Sequence, residues 1–507
     1  MTIKLQGTPV LVVGAGIMGA GIAQTAAQAG HAVLLFDTRD GAARDAKDKL
    51  AATFDSLVAK GKVTAENAQV TLQRIEPLAK IGGAADVGLV VEAIVENLDV
   101  KRALFKQLEA IVGAHCVLAT NTSSISVTAI ANGLQHPGRL VGMHFFNPVP
   151  LMKLVEVVSG LHTDTAVADA IFELSTHWGK TPVHAKSTPG FIVNRIARPF
   201  YAETLALLQE QAATPQVLDA CIKAASFRMG ACELMDLIGH DTNFAVTNSV
   251  YEANFYDKRY VPSLVQRELV DGGLLGRKSG RGFYRYQGEG SGVPSLPVAL
   301  HDAPASAREV TVHGDGAIAD FLEQAAAKAL EPQGWGPARV RDSAWTGLSI
   351  DGAHLVLTDG RGAGEMAAEI GSSDVAVFDR PLVLPASPGT ALAYALAPHA
   401  SPAWRAQAPA WLAALGFAPL PLADAPGLVV ARTIAMLINE AADAVQQGVC
   451  SEAGADAAMK LGVNYPAGPF EWLAKWSARE VVALLDALDH HYRGERYRAS
   501  PWLRRQA

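Results

Sequence analysis

The sequence predicts an α/β Rossmann domain followed by an all-α domain, then a shortened degenerate Rossmann-like domain and a second all-α domain. Three observations predict this order. A strand, a glycine-rich turn, a helix and a second strand open the chain, amphipathic helical runs begin near Thr188, and both patterns return in the second half.

Size and charge limit the class of protein. A chain of 507 residues is too long for one hydrophobic core, so we expect several domains. A formal net charge of -7 argues against nucleic acid as a partner. Four scattered cysteines without CxxC spacing argue against a disulfide framework and a zinc site, and we expect no bound metal. We find no signal-peptide pattern and no apolar run near the roughly 20 residues that cross a bilayer, so we expect a cytoplasmic protein without membrane contact.

The amino-terminal turn has the residue types of a dinucleotide site. The apolar run Val10 to Val13 predicts a buried parallel strand, and Gly14 to Gly19 follows with the pattern GxGxxG. The first glycine permits a tight turn, the second lets the backbone approach a pyrophosphate, and the third lets the helix pack on the strand. A plain structural turn is the alternative, because glycine-rich turns are common.

An acid follows the next predicted strand. Asp37 lies 23 residues after Gly14, where a carboxylate would accept hydrogen bonds from the adenosine ribose hydroxyls and repel a 2′-phosphate. This favours NAD over NADP as the cofactor, although Arg39 lies close by.

Polar residues follow the later strands of the same alternation. They are Glu96, Asn121 to Ser124, and His144. Ligands of doubly wound sheets bind at the carboxyl ends of the strands, so we expect cofactor and substrate to meet there. Glu156 lies within the alternating run Met152 to Val158, where a half-buried carboxylate needs a partner. Paired with Glu156, His144 would act as a general base. The alternative is that His144 is a hydrogen-bonded structural histidine.

Five motifs occur in one order, and together they resemble the L-3-hydroxyacyl-CoA dehydrogenase family over residues 7 to about 286. They are Gly14-Ala15-Gly16-Ile17-Met18-Gly19, Val91-Glu92-Ala93-Ile94-Val95-Glu96-Asn97, Asn121-Thr122-Ser123-Ser124, His144-Phe145-Phe146-Asn147-Pro148 and Gly190-Phe191-Ile192-Val193-Asn194-Arg195.

The resemblance implies a role for each matching residue. It implies that His144 is the base and Glu156 its partner, that Ser123 and Asn194 place the substrate oxygen, and that Asn147 supports the histidine loop. The expected cofactor-binding residues are Gly14, Gly16, Ile17, Met18, Gly19, Asp37, Glu96 and Asn121, with Glu96 near the nicotinamide ribose. Lys60 and Lys62, on a helix-like segment, are candidates for the 3′-phosphate of coenzyme A, and a solvated surface pair is the alternative.

The second half repeats the first in a shorter form. Residues 310–319 echo the opening turn at an offset of 300, whereas residues near the carboxyl end match earlier ones at an offset of 237. Ala319 replaces the third glycine, Ala431 replaces Asn194, and no HFFNP-like segment returns. We therefore expect one working site and one decayed copy. The expected boundaries are 1–187 for the NAD-binding Rossmann domain, 188–286 for the helical substrate or dimerisation domain, 287–308 for a linker, 309–424 for the degenerate copy and 425–507 for the second helical domain.

The resemblance implies NAD-dependent oxidation of an L-3-hydroxyacyl-CoA to the 3-oxoacyl-CoA. The tandem arrangement resembles bacterial members that act on 3-hydroxyadipyl-CoA in phenylacetate breakdown. Alternatives are a 3-hydroxybutyryl-CoA dehydrogenase, a free hydroxy-acid dehydrogenase on the same fold, and a catalytically silent NAD-binding scaffold. Family members that resemble the first half alone are typically homodimers. We therefore expect an internal pseudo-dimer that is a monomer or a homodimer.

Overall fold

The computed structural model describes residues 3–288, 291–296, 303–385 and 387–507. The chain folds into two compact units. The first unit comprises Met1–Ile196 with Ala444–Gly468, and the second comprises Ala197–Asp443 with Pro469–Ala507.

Eight strands of the described chain form the sheet of the first unit. They are β1 (Val10–Val13), β2 (Val33–Phe36), β3 (Ile75–Pro77), β4 (Leu89–Glu92), β5 (Val117–Thr120), β6 (Leu140–Phe145), β7 (Leu154–Ser159) and β8 (Thr181–Lys186). Their order is β3-β2-β1-β4-β5-β6-β7-β8, and β6 and β7 pair antiparallel whereas the other neighbours are parallel. Strands β1, β2 and β5 are almost entirely apolar because helices cover the sheet.

The helices that accompany this sheet lie in the connections between its strands, except the last one, which follows β8. They are α1 (Ile17–Gln28), α2 (Ala42–Ala59), α3 (Ala65–Gln73), α4 (Leu98–Ile111), α5 (Val127–Ala131), α6 (Thr165–His177) and α7 (Val193–Ile196). Local signals set several of their starts. Thr64 and Ser126 cap α3 and α5, and the Asn97 side chain accepts from the amides of Asp99 and Val100 at the start of α4.

The predicted first helical domain begins the second unit. Its helices are α8 (Arg198–Gln209), α9 (Pro215–Ala224), α10 (Ala231–Ile238), α11 (His240–Ala253) and α12 (Leu264–Asp271). The predicted linker, 287–308, lies partly outside the described residues.

A second sheet follows in the same unit. Its strands and helices are β9 (Val310–His313), α13 (Ala317–Leu330), β10 (Ala338–Val340), β11 (Gly347–Ile350), β12 (Ala353–Leu357), α14 (Ala363–Ile370), β13 (Val375–Phe378), β14 (Thr390–Leu396), α15 (Pro402–Ala414) and β15 (Phe417–Pro421). The strand order is β10-β9-β11-β12-β13-β14-β15. The shortening has a clear position, because β11 pairs antiparallel with both β9 and β12, whereas β4 of the first sheet is parallel to its neighbours. A hairpin thus stands where the first copy has a helical crossover.

The carboxyl-terminal helices are α16 (Val430–Gln446), α17 (Glu452–Gly462), α18 (Pro469–Lys475), α19 (Ala478–Tyr492) and α20 (Pro501–Gln506). The predicted order of a Rossmann part, a helical part, a shortened Rossmann-like part and a second helical part is confirmed. No helix of the described chain is long and apolar enough to cross a membrane.

The two helical parts contact each other reciprocally within the second unit. Buried Glu203 of α8 accepts from Arg496 at 2.9 Å and from Tyr497 at 3.1 Å. Their counterparts 237 residues away make the inverse contact, because Glu440 accepts from Arg259 at 3.3 Å and from Tyr260 at 2.5 Å. This exchange is the pattern of an isologous interface between two subunits.

Each helical copy also packs one helix on the sheet of the other copy. In the first unit, α17 lies against β7 and β8, and in the second unit α9 lies against β14. The counterpart of α9 at the offset of 237 is α17, so this packing is reciprocal too.

We predict that Glu203→Gln and Glu440→Gln destabilise the chain by similar amounts. Both carboxylates are fully buried, and neutralising either one removes one of the counter-charges of a buried guanidinium group, at a cost of about 1–3 kcal/mol. Arg259 keeps Asp443 and Arg432 keeps Glu210 as a second acidic partner. Urea unfolding followed by circular dichroism measures this. Asp271→Asn, which removes an exposed ion pair with Arg267, is the control and should cost less than about 0.5 kcal/mol. A Glu203→Gln variant as stable as this control would contradict the prediction.

Candidate active site

The glycine turn fits a dinucleotide. Gly14 has φ +105°, and a Cβ there would lie 2.4 Å from the Ala93 carbonyl oxygen. Gly16 faces open space, since a Cβ there would meet nothing within 4 Å. No side chain caps α1, so the amides of its first turn remain available to a phosphate. Ile17 and Met18 lie in that first turn, with Ile17 exposed, while buried Gly19 packs on Gly14.

Asp37 lies beside the turn at the end of β2. One of its carboxylate oxygens accepts from the Ala15 amide at 2.8 Å, and the other accepts from the Arg39 amide at 2.9 Å. The acid is therefore held next to the turn, in the position from which it can bind ribose hydroxyls.

His144 and Glu156 form a direct pair. They are register partners on β6 and β7, and His144 Nδ1 lies 2.5 Å from Glu156 Oε2. A carboxylate only accepts, so in the neutral imidazole Nδ1 carries the proton and Nε2 keeps its lone pair. The rings of Phe146 and Phe191 flank the imidazole, with centroid distances of 4.5 Å and 5.8 Å. This arrangement gives an oriented proton acceptor in an apolar setting.

The second oxygen of Glu156 holds a different element. Oε1 accepts from the backbone amides of Ile192 at 3.0 Å and Val193 at 2.9 Å, where α7 begins. Asn194, half-buried, is the next residue. One fully buried carboxylate thus orients the histidine and fixes the backbone that carries Asn194.

The turn after β5 is organised by Glu96. Its Oε1 accepts from the hydroxyl of Thr122 at 2.6 Å, from the amide of Ser123 at 2.9 Å and from the amide of Ser124 at 3.0 Å. Burial alone would raise the pKa of Glu96, but these hydrogen bonds and the nearby Lys101 ammonium hold it below its usual value. The Ser123 hydroxyl lies 3.4 Å from the same oxygen. Asn121 accepts from the Phe145 amide at 2.8 Å, so this turn also supports the strand that carries His144.

A buried ion pair beneath this turn was not predicted from the sequence. Lys101 Nζ lies 2.6 Å from Glu92 and 3.2 Å from Glu96, and Thr120 donates to Glu92 at 2.7 Å. The available signal was a glutamate inside the apolar strand β4. A charge in such a strand requires a buried partner.

A second unpredicted residue, Lys180, holds the loop after His144. Its ammonium donates to the carbonyls of Val149 at 2.5 Å and Met152 at 2.9 Å. Burial, with a smaller effect of Lys153, lowers its pKa to about 8. The loop begins at Asn147, which precedes a cis proline, and no described contact of the Asn147 side chain tests its predicted support of the histidine.

The two candidate coenzyme A lysines are exposed. The predicted helix over this segment ends earlier than expected, because α2 stops at Ala59, Lys60 is its C-cap, and Lys62 lies in the following turn. The Lys62 amide donates to the Leu57 carbonyl at 2.9 Å and closes the turn that follows the helix.

A segment that lies far away in the sequence, residues 447–462, packs against β7, β8 and α7, the elements around His144 and Glu156. In the first unit, the Lys186 amide donates to the Val449 carbonyl at 2.9 Å, and Arg195 donates to Gln447 at 2.7 Å. A Cβ on Gly462 would lie 2.7 Å from Leu154 and 3.0 Å from Val193, so α17 approaches this backbone closely. These residues lie more than 250 positions after the motifs, and only the repeat pointed to them.

The second copy has a single carboxylate in place of the pair. The Asp379 amide donates to the Ala393 carbonyl at 2.9 Å, and Ala393 stands 237 residues after Glu156, so Asp379 occupies the histidine's register position. Its carboxylate accepts from the amides of Val429, Val430 and Ala431, the counterparts of Ile192, Val193 and Asn194. Burial raises its pKa to about 6. The contact to the helical backbone is kept, whereas the proton acceptor is lost.

Three family models match the chain. They are the NAD-binding domain of 3-hydroxyacyl-CoA dehydrogenase over residues 9–188, the carboxyl-terminal domain of the same enzymes over 190–286 and 427–507, and the reduced Rossmann-fold domain of 3-hydroxybutyryl-CoA dehydrogenase over 355–426. The predicted NAD-binding domain is thereby confirmed.

Known proteins match at two lengths. A 3-hydroxyadipyl-CoA dehydrogenase from Escherichia coli is 44% identical over 98% of this chain and 97% of its own. A 3-hydroxybutyryl-CoA dehydrogenase from Clostridioides difficile is 39% identical over 54% of this chain and 98% of its own. A crystal structure of an Escherichia coli 3-hydroxybutyryl-CoA dehydrogenase is 43% identical, with a TM-score of 0.88 over 99% of this chain and 98% of that one.

We predict that two alanine substitutions in the glycine turn affect different properties, one the stability of the chain and the other its affinity for NADH. A Cβ on Gly19 would lie 1.7 Å from the Gly14 carbonyl oxygen, so Gly19→Ala should cost about 1–3 kcal/mol and lower the melting temperature. Gly16→Ala has free space and should leave the melting temperature unchanged, but its methyl group should weaken NADH binding by about tenfold. Calorimetry and NADH fluorescence titration measure the two effects. Unchanged NADH affinity in Gly16→Ala would mean that the pyrophosphate does not lie against this turn.

Proposed function

The chain belongs to the 3-hydroxyacyl-CoA dehydrogenase family, and on that premise we propose that it oxidises the 3-hydroxyl of an acyl-CoA with NAD, using His144 as general base. The observation that carries this proposal is the 2.5 Å contact between His144 Nδ1 and Glu156, which leaves Nε2 as the proton acceptor. NAD bound at the glycine turn supplies the ring that accepts the hydride.

The protein's own residues would bind and orient the alcohol. Ser123 and Asn194 are proposed to hold the substrate oxygen, because Glu96 fixes the backbone of the first and Glu156 fixes the backbone next to the second. Nε2 of His144 takes the hydroxyl proton, and the Glu156 carboxylate stabilises the imidazolium that results. Lys60 and Lys62 are proposed to contact the coenzyme A phosphate, which their exposure permits.

We propose 3-hydroxyadipyl-CoA as the substrate, within aromatic-acid breakdown. Support comes from the relative of that name, which matches nearly the whole chain. The competing substrate is 3-hydroxybutyryl-CoA, the substrate named for an equally long solved structure.

We further propose that the two copies act as an internal pseudo-dimer, so that one chain does the work of two subunits. The reciprocal contacts of Glu203 and Glu440 support this, as does the match to relatives of about half the length. Similar losses of stability in the two glutamate variants described above are the test.

We predict that His144→Gln lowers kcat by about 100-fold to 10,000-fold because the general base is removed. NADH affinity should stay unchanged, since His144 lies outside the glycine turn. Stopped-flow turnover and fluorescence titration measure these. Glu156→Gln should lower kcat and also the melting temperature, because it weakens the hold on Ile192 and Val193. Normal turnover in His144→Gln would overturn the mechanism and leave an NAD-binding scaffold as the alternative.

We predict a higher kcat/KM for 3-oxoadipyl-CoA than for acetoacetyl-CoA when NADH oxidation is followed at matched low concentrations. A site adapted to a distal carboxylate leaves its own polar groups unpaired with the shorter substrate, which costs about tenfold or more. A preference for acetoacetyl-CoA would identify 3-hydroxybutyryl-CoA as the substrate and would leave the proposed roles of His144 and Glu156 unchanged. Activity on the free 3-oxo acids without coenzyme A would contradict the proposed class of substrate.

A further inference from the structure

A cavity of about 690 Å³ lies within the second unit, at the glycine turn of the second copy. Gly314, Arg341, Trp345, Thr358, Arg380 and Trp476 are among its lining residues. It lies at the ends of β9 and β12, so it has the topological position of the nucleotide site in the first copy.

The strand register identifies a charge reversal in this cavity. The Gly14 amide donates to the Phe36 carbonyl at 2.8 Å, and the Gly314 amide donates to the Val340 carbonyl at 2.9 Å. Arg341 therefore stands where Asp37 stands in the first copy. A carboxylate at this position binds ribose hydroxyls, whereas a guanidinium accommodates a phosphate on the ribose.

The same turn is also altered. Asp315 replaces Ala15 and lies 3.1 Å from Arg341 and 3.8 Å from Arg339. Two other acids in the lining are paired as well, Asp359 with Arg361 at 2.5 Å and Glu480 with Arg380 at 2.7 Å. The lining also holds Asp342 and Arg479, so it contains four acids and three cations in all. Because these charges nearly balance, a free anion gains little here, and a ligand must make contacts besides the ion pair.

Aromatic rings and buried donors in the lining offer such contacts. Trp476 is 3% exposed, and Arg380 lies 4.3 Å from the centre of its ring. Within the described chain, neither the indole N–H of Trp476 nor the Nε–H of Arg380 has a hydrogen-bond partner. Buried donors are almost always paired, so these two call for an acceptor. The ring of Trp345 is half-buried, and one of its faces stacks on His313 with ring centroids 4.1 Å apart. A base in the cavity would therefore stack on the opposite face of Trp345.

We propose that this cavity binds an adenosine nucleotide carrying a phosphate on its ribose, and that it discriminates against NAD. This chemistry is shared by the 3′-phosphoadenosine end of coenzyme A and the 2′-phosphoadenosine end of NADP. Arg341 binds the phosphate, Trp345 stacks the base, and the indole of Trp476 donates to the ligand. The site goes beyond the proposed dehydrogenase function, because none of its residues belongs to the first copy.

Isothermal titration calorimetry of the full chain, saturated with NADH, tests the proposal. The probes are adenosine 3′,5′-bisphosphate, adenosine 2′,5′-bisphosphate, ADP and inorganic phosphate. We expect one bisphosphate to bind at least about tenfold more tightly than ADP, since a charge-assisted hydrogen bond to phosphate is worth that much, and inorganic phosphate not to bind. Because Lys60 and Lys62 of the first copy are proposed to hold a coenzyme A phosphate, the bisphosphate whose binding Arg341→Asp weakens is the one assigned to this cavity. That bisphosphate distinguishes a coenzyme A type of ligand from an NADP type.

Three variants separate this site from the first one. Arg341→Asp, which copies the acid of the first copy, should abolish the preference for a ribose phosphate, and Trp476→Phe should weaken binding without removing the ring. Lys328→Asp, an equal charge change at an exposed position of α13 outside the lining, is the control and should bind normally. Turnover of acetoacetyl-CoA is measured in parallel, so failure of the dehydrogenase proposal is seen independently. Binding that is absent in the parent chain, or that Arg341→Asp leaves unchanged, would overturn the proposal.

Discussion

The rest of the candidate active site depends on the contacts of one group, the Glu156 carboxylate. One oxygen fixes the imidazole of His144, and the other holds the amides of Ile192 and Val193. The proposed base and the backbone next to Asn194 are therefore positioned by a single buried charge. A buried charge is costly unless every lone pair is used, and here both oxygens have donors.

The second copy separates these two roles. Asp379 still accepts the amides at the start of the helical segment, although no histidine stands at its register position and Ala393 replaces the glutamate. Anchoring of helices to a sheet thus persists where the histidine proposed as base is absent. The packing of α17 on β7 and β8, and of α9 on β14, gives a reason why this anchoring persists. Each helical copy supports the sheet of the other copy, so both copies must stay attached to their own sheets.

The sequence allowed the local parts of this structure to be predicted. The glycine turn, Asp37 and the alternation of strands depend on neighbouring residues, so the fold class and the first nucleotide turn followed directly. Lys101 and Lys180 were not predicted because their partners lie on other elements, which periodicity does not encode. Glu92 lies only nine residues from Lys101 but on a buried strand, and the carbonyls bound by Lys180 lie 31 and 28 residues away. The end of α2 at Ala59 was missed for a related reason. Gly61, at φ +65°, turns the chain between the two lysines, and the helix-like composition concealed it.

Fusion of the two copies has an evolutionary consequence. In a homodimer one gene encodes both sites, so a substitution that destroys one destroys the other. Here Asp379 and Arg341 are encoded apart from His144 and Asp37, so selection acts on each copy separately. The second copy could diverge from the His144 and Glu156 pair while the reciprocal pairs at Glu203 and Glu440 kept the architecture intact. Linkage within one chain thus releases half of the duplicated surface for divergence without exposing the other half to loss.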